Sequence, residues 1–242
     1  PAVQALGAGD SMTKTFTVTS ADGTDTQEVT VTIHGSNDSA TISGDIAGGV
    51  GEDGTGTATG TLNVSDVDNG EAHVQATSVE TDQGTFTIGE DGKWSFALNN
   101  DDPAVQALGA NESMTKTFTV TSADGTDTQE VTVTINGSND GPVVSGPVDL
   151  GATAEDHSIT FTAQQLLGHA SDIDGDSLSV SNLSAGNGTI SQNADGSYTF
   201  TPNADFNGEV NVTYTVSDGH GGTTSGSASF DVTSVNDGPT TS

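Results

Sequence analysis

Residues 1–38 and 103–140 match at 35 of 38 positions, differing only at Gly9/Asn111, Asp10/Glu112 and His34/Asn136. The offset is 102 residues. Solenoid repeats are shorter, about 20 to 50 residues, so this period suits whole domains strung in tandem. On that spacing residues 39–140 form one complete unit, and residues 1–38 the C-terminal part of a preceding one. Residues 141–237 diverge but keep the punctuation: Asn236-Asp237-Gly238-Pro239 closes them as Asn139-Asp140-Gly141-Pro142 closes the unit before, leaving a tail at 238–242. Local matches join the two complete units. Ser65-Asp66-Val67-Asp68 parallels Ser171-Asp172-Ile173-Asp174, and Asp91–Phe96 parallels Asp195–Phe200. One fold is expected for both.

Period-2 alternation carries the secondary structure. Met114, Phe118 and Val120 share one face of a strand, and Val131, Val133 and Ile135 one face of the next. Between them, Ala123-Asp124-Gly125-Thr126-Asp127 reads as a hairpin turn. The later unit repeats the pattern with Val210, Val212, Tyr214 and Val216, then Ala228, Phe230 and Val232. Thr fills outward positions, where a β-branched polar residue suits a solvated face. Short strands separated by Gly, Asp and Asn clusters argue for an all-β protein of tandem Greek-key β-sandwiches, cadherin- or Ig-like, forming an extended rod. Pro103–Gly109 and Ala163–Gly168 are each expected to form about two turns of helix.

Composition then sets a problem. Leu, Ile, Val and Phe make up 47 of 242 residues, and 34 Asp and Glu against 3 Lys give a net charge of -31. Low apolar content with high charge is the signature of disorder, so the sandwiches need a staple. There is no Cys, which excludes disulfides and thiolate metal sites. Oxygen-bound metal remains. Three lysines make no basic footprint, which argues against nucleic acid and anionic membranes as partners. No apolar run approaches the ~20 residues that span a bilayer, so membrane insertion is not expected. The first residues show neither a basic segment nor an apolar stretch, so any export signal is expected outside this sequence or away from its start.

The acids are not spread evenly. Asp outnumbers Glu by 25 to 9 and concentrates beside Gly and Asn, where loops are expected. Three motifs recur: the pairs Asn37-Asp38, Asn139-Asp140 and Asn236-Asp237; the D-x-D motifs Asp66/Asp68 and Asp172/Asp174, the latter followed by Asp176; and Glu52-Asp53 and Glu155-Asp156 near the first strand of each complete unit. Hard oxygen ligands in loops suit Ca2+, which takes 6 to 8 of them, better than Mg2+, which demands an octahedron and keeps its water. A single Asp in such a loop is ordinarily a turn cap that keeps the surface soluble. A motif set repeated at each unit boundary points to Ca2+, whose binding contributes to folding free energy.

These residues resemble known families. Thr59–Asp68, Gly84–Ile88, Pro103–Gly109 and Thr117–Ile135 are similar to the VCBS repeat of bacterial RTX-type surface adhesins, over residues 39–140 and, as a fragment, 1–38. Residues 141–237 resemble the bacterial cadherin-like repeats found beside it. The cadherin likeness implies Ca2+ shared at each domain junction. At the junction near residue 140 it assigns Glu52 to the preceding domain, Asn139 and Asp140 to the linker, and Asp172, Asp174 and Asp218 to the following domain. At the earlier junction it assigns Asn37, Asp38, Asp66, Asp68 and Asp124. The family's downstream acidic motif survives only as Asn99-Asn100-Asp101, and the linker has Gly-Pro where a further Asn is expected.

Other motifs are discounted. Asp172, Asp174 and Asp176 begin like an EF-hand, but Ser177 and Leu183 stand where that loop needs Gly and Glu. Residues 48–56 approach a Ca2+-binding β-helix nonapeptide, in one copy only. The five His are scattered without an H-x-x-x-H pair. Trp94 and Tyr198 occupy matching strand positions and read as core aromatics rather than a sugar platform. The resulting expectation is a non-catalytic, Ca2+-stiffened extender or adhesion segment of a secreted bacterial surface adhesin. Its partners are neighbouring repeats, with cell-surface glycans as a further candidate and strand exchange through residues 1–38 as another. A carbohydrate-binding module and a homophilic adhesion module are the alternatives.

Overall fold

The structure, a computed structural model, describes residues 2–236. It divides into two units, Pro1–Val105 with Ser113–Asn136, and Gln106–Glu112 with Gly137–Ser242.

The first unit holds β1 (Ser11–Thr19), β2 (Thr26–His34), β3 (Thr41–Gly44), β4 (Ala47–Gly51), β5 (Thr57–Ser65), β6 (Thr77–Thr81), β7 (Gly84–Ile88), β8 (Lys93–Leu98), β9 (Ser113–Thr121) and β10 (Thr128–Asn136). A five-stranded sheet in the order β3-β5-β8-β7-β6 packs against a three-stranded sheet, β4-β10-β9. All these pairings are antiparallel except β4 with β10. The alternation read from the sequence sets the core. Phe118, Val120, Val131, Val133 and Ile135 are buried, and the threonines between them point outward or lie half-buried. Phe118 stacks on Phe86 with ring centroids 4.5 Å apart and planes at 8°, and tilts against Phe96 at 5.7 Å. Trp94, 2% exposed, donates its indole N–H to Asp45 O. A buried indole that finds an acceptor is stable, and Trp94 is thereby a core residue.

β1 and β2 form a separate two-stranded sheet, in the same register as β9 with β10: Phe16 opposes Val29 as Phe118 opposes Val131. Its apolar face is open, with Phe16 and Val18 each 56% exposed.

The second unit holds β11 (Val143–Val144), β12 (Val148–Ala154), β13 (Ile159–Phe161), a one-turn helix α1 (Ala163–Leu166), β14 (Ala170–Ser171), β15 (Ser179–Ala185), β16 (Gly188–Gln192), β17 (Tyr198–Pro202), β18 (Gly208–Ser217) and β19 (Thr223–Thr233). A four-stranded sheet, β12-β19-β18-β15, and a three-stranded sheet, β13-β17-β16, enclose a core of Phe161, Leu166, Tyr198, Phe200, Val210, Val212, Tyr214, Val216 and Phe230. As β4 runs parallel to β10 in the first unit, β12 runs parallel to β19 here.

The two helix expectations fare differently. Thr162 caps α1 through a capping box with Gln165, and Leu166 is buried beneath it, so that segment is helical for one turn. Residues 103–107 are consecutive turns with no helix. So short a segment cannot sustain a helix unaided. Instead Asp102 ties it down, accepting from Val105 N–H through its carbonyl and from Ala104 N–H through its side chain, with Val105 fully buried.

Candidate metal centres

In the first unit the hairpin turn between β9 and β10 and the loop after β5 converge. Asp124 sits in the turn, where Ser122 Oγ donates to its Oδ1 at 2.7 Å and Thr126 N–H at 3.2 Å, while Asn37 Nδ2 donates to its Oδ2 at 3.0 Å. These donors hold the Asp124 carboxyl well below the usual carboxylate range, chiefly the Thr126 and Ser122 side chains. After β5, Asp66 accepts the Asp68 N–H at 2.8 Å in an Asx turn. Asp38 N–H then donates to Asp68 Oδ2 at 2.7 Å.

One oxygen of each carboxylate in that loop is left over. Asp66 Oδ2, Asp68 Oδ1 and Glu71 Oε2 are buried without a hydrogen-bond partner, and Asp68 as a whole is 3% exposed. Oxygens of Asp66, Glu71 and Asp124 lie within 4.8 Å of one another. Desolvation, then repulsion from Asp68, Asp66, Asp124 and Asp10, pushes the Glu71 carboxyl up.

The second unit repeats the arrangement on diverged sequence. Asp174 N–H donates to Asp172 Oδ1 at 3.0 Å, Asp140 N–H to Asp174 Oδ2 at 2.8 Å, and Asn139 Nδ2 to Asp218 Oδ2 at 2.9 Å. Asp218, in the β18–β19 turn and 3% exposed, also accepts from the N–H groups of His220, Gly221 and Gly222. Asn139 and those backbone donors keep its carboxyl low. Oxygens of Asp172, Asp174 and Asp176 lie within 4.8 Å of one another, and Asn139 Oδ1, Asp172 Oδ2 and Asp174 Oδ1 are buried without partners. Gly109, Ala110, Glu112 and His220 complete the rim of a cleft of about 150 Å3 over Asn139, Asp174 and Asp176.

Both clusters fit a divalent cation. Their donors are all oxygen, and ligands 2.3–2.6 Å from one Ca2+ lie at most about 5 Å apart. A buried unpaired carboxylate oxygen is costly in water's absence, and a cation removes that cost.

Other acids of the recurring motifs stand at the opposite end of their own unit. Glu52, Asp53 and Asp101 belong to the other end of the first unit: Glu52 N–H bonds Asn136 O, whereas Asp124 sits at the far end of β10. Asp53 has φ 55° and exchanges two hydrogen bonds with Asn100, at 3.0 and 2.9 Å. Asp101 is exposed in the following turn. In the second unit Glu155 is 5% exposed, accepting from Val235 N–H at 2.5 Å and Asn207 Nδ2 at 3.5 Å, and Asp156 accepts from Asp205 N–H. Asn236 is exposed beyond β19, and Asp237 lies outside the described residues. Glu71, Glu112, Asn100, Asn207 and His220 are additional to the recurring motifs. Glu71 follows Asp68 by three residues where Asp176 follows Asp174 by two, and that one-residue shift hides their equivalence.

Residues 37–137 match the family model of a bacterial cadherin-like domain, and residues 138–233 that of a cadherin-like domain. The chain carries two cadherin-like domains in tandem. No curated protein matches it. Among solved structures, mouse cadherin-23 EC22-24 aligns over 87% of this chain and 69% of its own, at 19% identity and TM-score 0.52. A protocadherin gammaB7 EC3-6 cis-dimer structure aligns over 94% and 57%, at 16% identity and TM-score 0.51. An endo-fucoidan hydrolase of glycoside hydrolase family 107 aligns over 94% of this chain but only 34% of its own length, at 18% identity and a TM-score of 0.32. The two cadherin likenesses show the fold. The cadherin-like domains are β-sandwiches, and no helix of the described residues is long and apolar enough to cross a membrane.

Proposed function

We propose that this chain is a Ca2+-binding, non-catalytic extender or adhesion segment of an extracellular bacterial surface adhesin of the RTX type, with the first domain of the VCBS kind. The observation that carries the reading is Asp68. Its Oδ2 is taken by Asp38 N–H, and its buried Oδ1 has no partner while Asp66 Oδ2 and Glu71 Oε2 stand equally unpaired. Asp174 repeats this with Asp140.

Bound there, Ca2+ supplies positive charge to otherwise repelling carboxylates. The chain's own residues do the rest. Asn37 and Asn139 bridge the linker to Asp124 and Asp218, and the Asx turns of Asp66 and Asp172 present the D-x-D oxygens. Each linker is thereby fastened to the head of the sandwich that follows, and Ca2+ stiffens the joint. Glu155, with Asn207 and Asn236, is the matching candidate at the far end of the second domain, and Glu52 with Asn100 that of the first.

A carbohydrate-binding module needs an exposed aromatic platform. Trp94, Tyr198 and Tyr214 are all buried, so none of them forms one. Calorimetric titration with Ca2+, repeated with Mg2+ after chelation, tests the proposal. Saturable Ca2+ binding with a raised melting temperature is expected. Heat and melting curves indifferent to Ca2+ would sink it.

A further inference from the structure

Four Asn-Gly steps occur in the sequence: Asn69-Gly70, Asn136-Gly137, Asn187-Gly188 and Asn207-Gly208. At such a step the glycine nitrogen can attack the asparagine side-chain carbonyl, because no Cβ crowds the approach and the backbone is free to turn toward it. In sequence the four are equivalent, and in the fold three of them are held. Asn136 is the last residue of β10, paired with Ser113 on one side and Gly51 on the other, and Gly137 N–H donates to Glu112 O at 2.9 Å. Gly188 opens β16 opposite Pro202, where even a Cβ would lie 2.4 Å from Phe200 Cζ. Gly208 opens β18 opposite Val232, and the Asn207 amide donates to Glu155 Oε2 at 3.5 Å. Asn69-Gly70 differs on every count. Both residues are exposed in the loop between β5 and β6, Gly70 has φ 87°, and a Cβ built on it would meet nothing within 4 Å. Among the described residues neither the Asn69 side chain nor the Gly70 N–H has a hydrogen-bond partner. The step also lies inside the acidic loop. Asp68 precedes it and Glu71 follows, with Glu71 N–H donating back to Asp68 O at 3.4 Å and His73 N–H to Glu71 O at 2.7 Å.

We propose that Asn69-Gly70 is a self-modification site, where water converts the asparagine to isoaspartate and the conversion loosens the cluster of Asp66, Glu71 and Asp124. Gly70 N bonds to Asn69 Cγ and gives up its proton; the Cγ–Nδ2 bond breaks, and the side-chain nitrogen leaves as ammonia with that proton. Water then opens the succinimide. Attack at the Asn69 main-chain carbonyl carbon breaks its bond to Gly70 N and leaves the chain running through Cγ, which is isoaspartate; attack at Cγ gives aspartate. Isoaspartate inserts one backbone atom between Asp68 and Glu71, so the Glu71 N–H no longer meets Asp68 O and the Glu71 carboxylate moves off Asp66 and Asp124. It also adds a negative charge among carboxylates that already repel one another. The second unit has Gly175 alone between Asp174 and Asp176, with no side-chain amide to lose, and its cluster stays as it is. Only the consequence for Ca2+ rests on the function proposed above; conversion and loosening do not.

The test holds the full-length chain in warm, mildly alkaline buffer with chelator and follows each asparagine by peptide mass and by isoaspartate-specific methylation. In the folded chain Asn69 should convert at least tenfold faster than Asn136, Asn187 and Asn207, and in urea the four rates should converge. Gly70→Ala, whose Cβ has room in the fold but crowds the attack, should slow conversion at Asn69 at least tenfold. Equal rates at all four steps of the folded chain, or an Asn69 that survives in the folded chain and converts only in urea, overturns the proposal. In converted protein, still in chelator, hydrogen exchange at Glu71 and His73 should speed up at least tenfold, and unchanged exchange overturns the proposal as well. Calcium titration follows on the same samples. Conversion should weaken one class of Ca2+ sites at least tenfold and leave the other in place; identical isotherms before and after conversion count against the proposal. A chain that takes up no Ca2+ even before conversion refutes the function proposed above, and the exchange rates then decide this proposal by themselves.

Discussion

Asp38 donates its backbone N–H to Asp68 Oδ2 at 2.7 Å, so a linker residue is bound through one oxygen of a buried carboxylate whose other oxygen is unpaired. Asp140 and Asp174 stand in the same relationship at 2.8 Å, on sequence that otherwise diverges. The linker is thus registered on the sandwich by the backbone, and the second carboxylate oxygen stays without a hydrogen-bond donor.

Asp68→Asn should therefore have opposite effects in two buffers. With chelator it removes an unpaired buried charge and leaves stability unchanged or slightly raised. With Ca2+ at about a hundred times its dissociation constant, the bound ion contributes about 2.7 kcal/mol. The variant should lose most of that contribution. Melting curves of both chains in both buffers check this, and the crossing of their order is the signature.

Phe118→Ala should cost about 3–5 kcal/mol in the first domain, because a buried ring stacked on Phe86 is lost. Phe16→Ala, the same residue in the same local sequence, should cost less than about 0.5 kcal/mol in monomeric protein because its ring is already exposed. Denaturant unfolding of the two variants measures the contrast.

Gly226→Ala should destabilise the second domain by about 1–3 kcal/mol through overpacking. A Cβ there would lie 2.1 Å from Tyr214 Cε2, and that ring cannot retreat, since its buried hydroxyl donates to Leu166 O at 2.7 Å. Loss of near-ultraviolet tyrosine signal at a lowered melting temperature is the expected readout.

Titration should separate three carboxyls. Asp22 is held at about 2 by the Ser20 hydroxyl first and then by Thr24. Asp124 is held low by the matching Thr126 and Ser122. Folded values below the unfolded one mean that their contribution to stability is present above about pH 4 and lost as pH falls through the folded value. Glu71 runs the other way. Its value is raised by desolvation and neighbouring acids, so in chelator lowering the pH toward 4.5 stabilises the fold by discharging it. Carbon-detected NMR titration should show Glu71 dropping on addition of Ca2+ while Asp22 stays where it is.

Much of this was legible because a 102-residue repeat and strict alternation are local properties. Val131, Val133 and Ile135 had one face to bury whatever lay opposite, and Asp66-x-Asp68 had to curl into an Asx turn. The helix expected at 103–109 failed because Asp102 hydrogen bonds and the burial of Val105 outweigh the weak propensity of seven residues. Glu71 stands outside the recurring motifs because it follows Asp68 by three residues where Asp176 follows Asp174 by two, and Asp124 reaches it only in space.

By itself the sequence determined the strands, the turns and the recurring Asp and Asn motifs, since these follow from side-chain period and the chemistry of Asp, Asn and Gly. Tertiary structure alone decided which acids stand together. Asp124 and Asp66 meet only because one hairpin turn folds over one loop, and Asp53 and Asp101 stay apart from them because they belong to the opposite end of the same sandwich. It also decided that two hairpins of nearly identical sequence differ in kind, one closed and one bare, because burial is a property of what lies across the core and no strand carries that in its own residues.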